Sequence, residues 1–404
     1  MKYIVILGDG MADYPVDYFD GKTILEVADK PVIDYMSQHG ELGMVKTVQP
    51  GMKPGSDVAN LSVMGFDTKV CYSGRSPLEA ASIGIDMADD DVTFRTNLVM
   101  LSDEENYEDK TMLDYSAGEI TTEESTQLIE ALAKELNTDE IKFYPGISYR
   151  HICVWGKGST NVELTPPHDI SDKKIKDYLP KGDGAEKFIE MMKKSEKILR
   201  EHPVNKARVA AGKNPATSIW PWGEGTKPQL ESFEKKYGVK AAVISAVDLI
   251  KGIAKCAEMT SIDVEGATGN CETNWDGKAQ AALKAITEDG NDFVYVHMEA
   301  PDEMGHQGKP DKKKLAVETI DNKVVRFLRD ELEKRGMDYR MLILPDHPTP
   351  IKTKTHASDA VPYVIYDSRE QGEGSGLVYT ENTAKTTGIY IEPGYTLMER
   401  FLQK

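Results

Sequence analysis

Tyr3-Ile4-Val5-Ile6-Leu7, followed at once by Gly8-Asp9-Gly10, is the stretch on which the fold turns. Five apolar residues rich in β-branched side chains read as a strand buried on both faces, and the two glycines mark the point where it gives way to a loop carrying Asp9. Short apolar runs of the same kind recur at 241–245, 293–297, 341–344 and 361–366, separated by helical-looking stretches such as 311–335. Alternating strand and helix signals predict an α/β domain with a mostly parallel sheet.

Between the first run and the later ones the texture changes. Residues 86–93 are acidic, Thr121-x-x-Glu124 reads as a capping box opening a helix to about Leu136, and strand-like runs follow at 141–144 and 151–155. A polar helix over 184–200 comes next, then a stretch read as loop on the strength of Pro203, Pro215, Pro221 and Pro228. The expected fold class is therefore α/β: a discontinuous core of residues 1–65 and 236–404 with a mostly parallel sheet, interrupted by a smaller α/β domain at 66–235. A length of 404 residues agrees with two or three units at about 150 residues per domain.

A content of 40% hydrophobic and 29% charged residues is that of an ordinary globular chain. The net charge of −18 opposes a nucleic-acid partner, whose affinity rests on clustered Lys and Arg, but allows a small anionic substrate where a local cation sets the field. No apolar run approaches about 18 residues, so no membrane span is expected. Cys71, Cys153, Cys256 and Cys271 show no C-x-x-C spacing, and the N-terminal run turns to Gly-Asp-Gly before a signal peptide could form. A cytoplasmic location is the expectation.

In open α/β sheets, residues just past the carboxyl ends of several strands converge on one site. Asp9 lies after the first run, Asp302 and His306 after the run ending at His297, Asp346-His347 after 341–344, and His356 nine residues further on. The i, i+4 spacing of Asp302 and His306 puts both on one side of a helical turn, with Gly305 permitting close backbone approach. Asp346 and His347 can share an ion only once the strand has ended, which Pro345 and Pro348 predict. Three Asp and three His exceed the needs of one tetrahedral ion but suit two of a manganese or zinc type. Two ions about 3.5 to 4 Å apart can clamp the attacking and leaving oxygens of a phosphoryl transfer.

Such a site needs a nucleophile. Pro54-Gly55-Ser56-Asp57 before Val58-Ala59-Asn60-Leu61 delivers Ser56 to the first turn of a helix, where backbone N–H groups and the helix dipole favour phosphate. Taken singly, Asp9 and Ser56 could each be a helix N-cap; it is their joint placement with the other five residues that points to chemistry. His297, inside a strand run, reads as a packed or hydrogen-bonded core residue, His39 and His202 as surface positions, and His151 and His168 are left unassigned.

Gly8-Asp9-Gly10, Pro54-Gly55-Ser56-Asp57, Asp302-x-x-x-His306, Pro345-Asp346-His347 and Thr355-His356 resemble the motifs of the archaeal-type, cofactor-independent phosphoglycerate mutases of the alkaline phosphatase superfamily, along essentially the whole chain. The resemblance implies a phosphatase-like core with an inserted transferase domain. One divalent ion would be held by Asp302, His306 and His356, the other by Asp9, Asp346, His347 and Ser56. Manganese is the expected metal, with zinc, magnesium or cobalt as alternatives, and no 2,3-bisphosphoglycerate is required. Ser56 would take the phosphoryl group of 3-phosphoglycerate and return it to the 2-hydroxyl.

Cations should grip such a substrate, since an Arg fork pairs with carboxylate or phosphate. Arg75 and Arg95 are the first candidates, then Arg150, Arg208 and, in the core, Lys251; each could equally be a surface charge or structural pair. Two departures from the archaeal pattern stand out. Where the family has Asp-Arg-x-Ala-Gly-Arg, this chain has Asp114-Tyr115-Ser116-Ala117-Gly118-Glu119, and where it has Arg-Gly-Ala-Gly, this chain reads Trp222-Gly223-Glu224-Gly225. These leave open a related phosphotransferase such as a homoserine kinase, although no P-loop is present and Gly266-Ala267-Thr268-Gly269 is too short to be one. A metal-binding protein without catalysis would lack a ligand or nucleophile, and none is missing.

Overall fold

The computed structural model describes residues 1–370 and 374–403. Its strands run, in chain order, β1 (Lys2–Gly8), β2 (Glu41–Val45), β3 (Val92–Leu101), β4 (Met112–Asp114), β5 (Ile141–Ile147), β6 (Arg150–Trp155), β7 (Val162–Glu163), β8 (Lys181–Gly182), β9 (Ser218–Thr226), β10 (Ala241–Ile244), β11 (Thr260–Ile262), β12 (Phe293–Met298), β13 (Tyr339–Leu344), β14 (Val361–Asp367) and β15 (Tyr390–Ile391). Two compact units share them: Met1–Tyr72 with Gln229–Lys404, and Ser73–Pro228.

The first unit is built on an eight-stranded sheet ordered β11-β10-β12-β1-β13-β14-β2-β15. β1 is parallel to β12 on one side and to β13 on the other, with Leu7 opposite both His297 and Leu344. Of the runs expected to be parallel, 361–366 differs: β14 is antiparallel to both β13 and β2. From Tyr3 to Gly8 every residue of β1 is buried, the burial on both faces that its unbroken apolar run requires. Ile4, Ile6, Val294, Val296, Met341 and Ile343 share one core cluster with the surrounding helices.

The helical stretch expected over 311–335 is three successive segments: an α-helix (Pro310–Thr319), a π-helical stretch (Ile320–Val325) and a second α-helix (Arg326–Lys334). The first of these holds the loops after β1 and β13 together. Lys313 is wholly buried, and its Nζ donates to Ala12 O (3.1 Å), Thr349 O (2.8 Å) and the Asp13 carboxylate (2.7 Å). Asp13 also accepts from the backbone N–H groups of Tyr14 and Ile351.

The unit boundaries fall seven residues away from those read in the sequence, because the flanking segments pack on the first unit. Asp67 caps the short helix Thr68–Cys71 and, with Thr68, accepts from the Gln49 amide, and Tyr72 O–H donates to Asp57. On the return, Phe233 donates its N–H to Ala257 O and packs its ring against Phe293.

The second unit pairs β4-β3-β6-β5, with β9 also on β3, and every one of these pairings is antiparallel. The helices Thr122–Leu136 and Ala185–Glu201 cover one face, burying Leu128, Leu132, Phe188 and Met192 against Phe94, Leu98 and Trp220. The Thr121 capping box is present, with Glu124 as its reciprocal partner. The stretch after Arg200, expected as loop, is instead the helix Pro203–Ala210 followed by β9. Pro203 occupies the first helical turn, where a missing N–H costs nothing, and Pro221 lies in a strand paired to β3 alone, the edge position a proline tolerates.

Replacing Lys313 with Ala strands the Asp13 carboxylate in the interior. The expected cost is roughly 3–5 kcal/mol, read as a lower urea midpoint at unchanged slope; an unaltered midpoint would show that this pair is not what ties the two loops.

Candidate metal centre and anion site

β12, β1 and β13 lie side by side and run the same way, so whatever follows their carboxyl ends is brought together. Asp9 follows β1 directly and is buried. Asp302 and His306 sit on the helix Ala300–His306 just past β12, Asp346 and His347 follow β13, and His356 arrives from the loop before β14. Among the described residues, two groups of three have ligand atoms within 4.8 Å of one another: Asp302, His347 and His356, and Asp9, Asp346 and His347. His347 belongs to both. His306 joins through its Nε2, 3.2 Å from Asp302 Oδ2 and 2.9 Å from His356 Nε2. Its Nδ1 faces Lys354 O at 2.9 Å; a proton there leaves Nε2 as the ligand atom.

Glycine is required twice. Gly10 has φ of +62°, and a Cβ there would stand 2.9 Å from Asp302 Cα, while its N–H donates to Asp346 Oδ1 at 3.1 Å. A Cβ on Gly305 would run into the Thr349 carbonyl oxygen.

Ser56 is the first residue of the helix Ser56–Val63, with Gly55 as the N-cap and no side-chain cap, so the capping role is not the one it plays. Its Oγ lies 3.2 Å from His347 Nε2. The arrangement is a serine hydroxyl at a helix N-terminus beside a buried cluster of carboxylates and imidazoles.

The electrostatics ask for cations. Burial, then the neighbouring Asp346 and Asp302, push Asp9 well above the usual carboxylate range, and its Oδ1 is buried with no hydrogen-bond partner. Burial raises Asp302 as well, but hydrogen bonds from His306 and His356 outweigh it and hold the group well below that range. His306 is pushed up to about 9, chiefly by the same bond, while burial draws His347 down. Three clustered carboxylates with an oxygen lacking a hydrogen bond, and inward-facing imidazole nitrogens, fit divalent ions.

Four supporting residues lie outside the set expected from the sequence to form the site. His297 Nε2 is 3.0 Å from Asp9 Oδ2 and its Nδ1 3.3 Å from Ser245 Oγ, so the expected core residue holds a ligand. Thr349 Oγ1 donates to Asp302 and lies 3.2 Å from His347 Nδ1. Asn60 and Tyr295 bond to one another beside Asp346. Only alternation along β12 and the Asn at i+4 from Ser56 could have singled any of them out.

Among the basic candidates, the second unit gathers Arg75, Arg95 and Arg150. Glu79 pairs with Arg75 Nε at 2.9 Å and with Arg95 Nε at 3.0 Å. Burial pulls Arg95 below its usual value, Glu79 opposes this, and the Arg75 and Arg150 charges add to the fall. Arg95 stacks over Trp222 at 4.4 Å from the ring centre, and Trp222 Nε1 donates to Asn97 Oδ1 at 2.8 Å. His168, unassigned from the sequence, touches both Trp222 (5.2 Å) and Tyr115 (6.1 Å) edge-on.

Arg208 is not available for this role. It is buried, and its three nitrogens serve Asn214 O, Ala117 O and the Glu124 carboxylate, a structural tie within the unit. Lys251, in the first unit, pairs with Asp263 at 2.6 Å rather than with any of the metal-cluster residues.

A family model described as 2,3-bisphosphoglycerate-independent phosphoglycerate mutase matches residues 37–205. A Geobacter sulfurreducens protein named probable 2,3-bisphosphoglycerate-independent phosphoglycerate mutase is 49% identical, over 100% of both chains. The 2,3-bisphosphoglycerate-independent phosphoglycerate mutase of Methanosarcina barkeri is 49% identical over 95% of each. The solved cofactor-independent phosphoglycerate mutase of Thermoplasma acidophilum shares the fold, with a TM-score of 0.70 at 24% identity over 100% of this chain and 99% of that one.

Burial pulls both His297 and His151 from 6.5 down to about 3, so each stays neutral when folded and gains a proton more readily when unfolded. Stability should therefore fall as pH drops from about 6.5 toward 3. His306 has the opposite sign: its contribution in the metal-free chain is full below 6.5 and lost as pH rises through about 9. Urea titrations at stepped pH in a chelator check both, and a flat acid limb would contradict the burial account.

Proposed function

The chain belongs to the 2,3-bisphosphoglycerate-independent phosphoglycerate mutase family, whose core is the alkaline-phosphatase-like fold, and from that premise we propose that it interconverts 3-phosphoglycerate and 2-phosphoglycerate through a phosphoserine at Ser56. The observation that carries this reading is Ser56 Oγ, 3.2 Å from His347 Nε2, at a helix N-terminus against the buried Asp and His cluster.

Asp302, His306 and His356 would hold one divalent ion, and Asp9, Asp346 and His347 with Ser56 the other. Manganese suits this mixed oxygen and imidazole set, with zinc, magnesium or cobalt as alternatives. Such ions, when bound, supply positive charge to the phosphoryl oxygens and ease loss of the serine proton. The helix N-terminus at Ser56 adds backbone N–H groups facing the incoming phosphate.

Ser56 Oγ forms the new bond to phosphorus, the bond to the glycerate 3-oxygen breaks, and that oxygen takes up a proton. Glycerate then presents its 2-hydroxyl: the 2-oxygen bonds to phosphorus and gives up its proton, the Ser56 Oγ–phosphorus bond breaks, and Ser56 Oγ takes a proton back. The phosphoryl group waits on the protein, so no 2,3-bisphosphoglycerate is needed. Arg75 and Arg95, which share Glu79, and Arg150 beside them supply charge for the substrate's carboxylate and phosphate.

Purified protein with manganese, coupled to enolase, should convert 3-phosphoglycerate. Failure to do so, with turnover of homoserine and ATP instead, would move the reading to a phosphotransferase. Ser56→Ala should abolish conversion while leaving the thermal unfolding profile intact; surviving turnover removes Ser56 from its role.

Arg95→Gln should raise KM for 3-phosphoglycerate roughly 10- to 100-fold, the equivalent of one charge-assisted hydrogen bond. An unchanged KM would assign Arg95 to the Glu79 and Trp222 contacts alone.

A further inference from the structure

One turn beyond the nucleophile, Asn60 is completely buried and its amide is fully committed. Nδ2 donates to Ser56 O at 2.8 Å and to Asp346 Oδ2 at 2.8 Å, and Oδ1 accepts from Tyr295 O–H at 2.6 Å. Tyr295 lies in β12, also fully buried, and its hydroxyl donates to that oxygen. Ser56 O and the Asp346 carboxylate oxygen can only accept, so the amide has a single sensible orientation, with both N–H groups pointing at them and the carbonyl left for the Tyr295 hydroxyl.

The other partners of Asp346 make this bond informative. Asp346 Oδ1 takes backbone N–H groups from Gly10 (3.1 Å) and His347 (2.9 Å), which places the carboxylate relative to β1 and β13. Oδ2 takes Asn60, which places it relative to the helix Ser56–Val63. The side-chain bonds of Asn60 and Tyr295 are used up in this chain and reach none of Asp302, His306 and His356. Those residues are supported separately, by Thr349 and the Lys354 carbonyl.

We propose that Asn60, oriented by Tyr295, is a positioning residue that ties Ser56 to Asp346 and so sets the nucleophile against one half of the metal cluster, the half formed by Asp9, Asp346 and His347. Asn60 touches no reacting atom. It acts by fixing the residue that carries the nucleophile and the carboxylate beside it, in the way hydrogen-bond partners of metal ligands fix their orientation. The inference rests on the two-metal phosphoserine reading above, and its test separates the two.

Manganese is titrated into the purified full chain and free ion is followed by electron paramagnetic resonance. The unaltered protein should bind two ions. Tyr295→Phe, which removes one hydroxyl and keeps the ring, and Asn60→Leu, which keeps the volume and removes all three bonds, should each weaken one of the two ions by about 10- to 100-fold and leave the other as it was. The kcat for 3-phosphoglycerate should fall in both with little change in KM. Tyr295→Phe carries the test if Asn60→Leu does not fold.

Equal weakening of both ions, or two unweakened ions with normal kcat, overturns the proposal. An unaltered protein that binds fewer than two ions overturns the two-metal reading itself, before any variant is compared.

Discussion

Three carboxylates, Asp9, Asp302 and Asp346, are buried within reach of one another at the ends of three adjacent parallel strands, and most of what surrounds them answers that charge. Buried like charges cannot all stay ionised without compensation. The cluster splits accordingly: Asp302, bonded by His306 and His356, is held ionised, and Asp9, buried and then crowded by its fellow acids, is pushed toward the protonated form. Ions would remove the conflict by supplying charge where Asp9 Oδ1 has no hydrogen-bond partner. The parallel sheet is thus more than a scaffold, because only co-directional neighbours deliver three acids to one point.

Holding such a cluster in place demands rigidity from parts of the chain that are far apart. Lys313 joins the loop after β1 to the loop after β13, and from the latter loop Thr349 reaches both Asp302 and His347. His297 holds Asp9 from β12, while Asn60 and Tyr295 hold Asp346 from the helix Ser56–Val63 and β12. Each of the three buried carboxylates therefore has at least one neutral side chain restraining it. Neutral partners are well matched to carboxylates here, because a donor or acceptor dipole orients the group without adding net charge to a cluster that divalent ions would neutralise.

The residues legible in the sequence are those whose position follows from local period. Apolar runs mark β1, β10, β12, β13 and β14, and what immediately follows β1, β12 and β13 identifies Asp9, Asp302, His306, Asp346 and His347. The supporting set stays hidden because its partners are distant: Asn60 and Asp346 are separated by 286 positions, His297 and Asp9 by 288. No short window of sequence contains such a pair. The stretch after Arg200 defeats sequence reasoning for a different reason. Proline there suggests loop, yet a helix start and an edge strand are two places where its missing N–H is harmless. The antiparallel direction of β14 is equally hidden, since an apolar run reads the same in either sense.

The second unit presents the inverse of the metal cluster. In a chain of net charge −18, Arg75 and Arg150 lie close enough to Arg95 to depress its proton affinity, and Glu79 pairs with both Arg75 and Arg95. Stacking on Trp222 secures Arg95 without adding a second negative charge to that of Glu79. Trp222 and Tyr115 stand where the archaeal-type pattern carries arginine, and here both meet His168 edge-on. Of these two rings, Trp222 carries Arg95 on its face, while Tyr115 meets only other rings, Tyr149 and His168. On the reading proposed above, discrimination among anionic substrates would depend on where Arg95 is aimed, and the Trp222 stack would then bear on specificity as well as on packing.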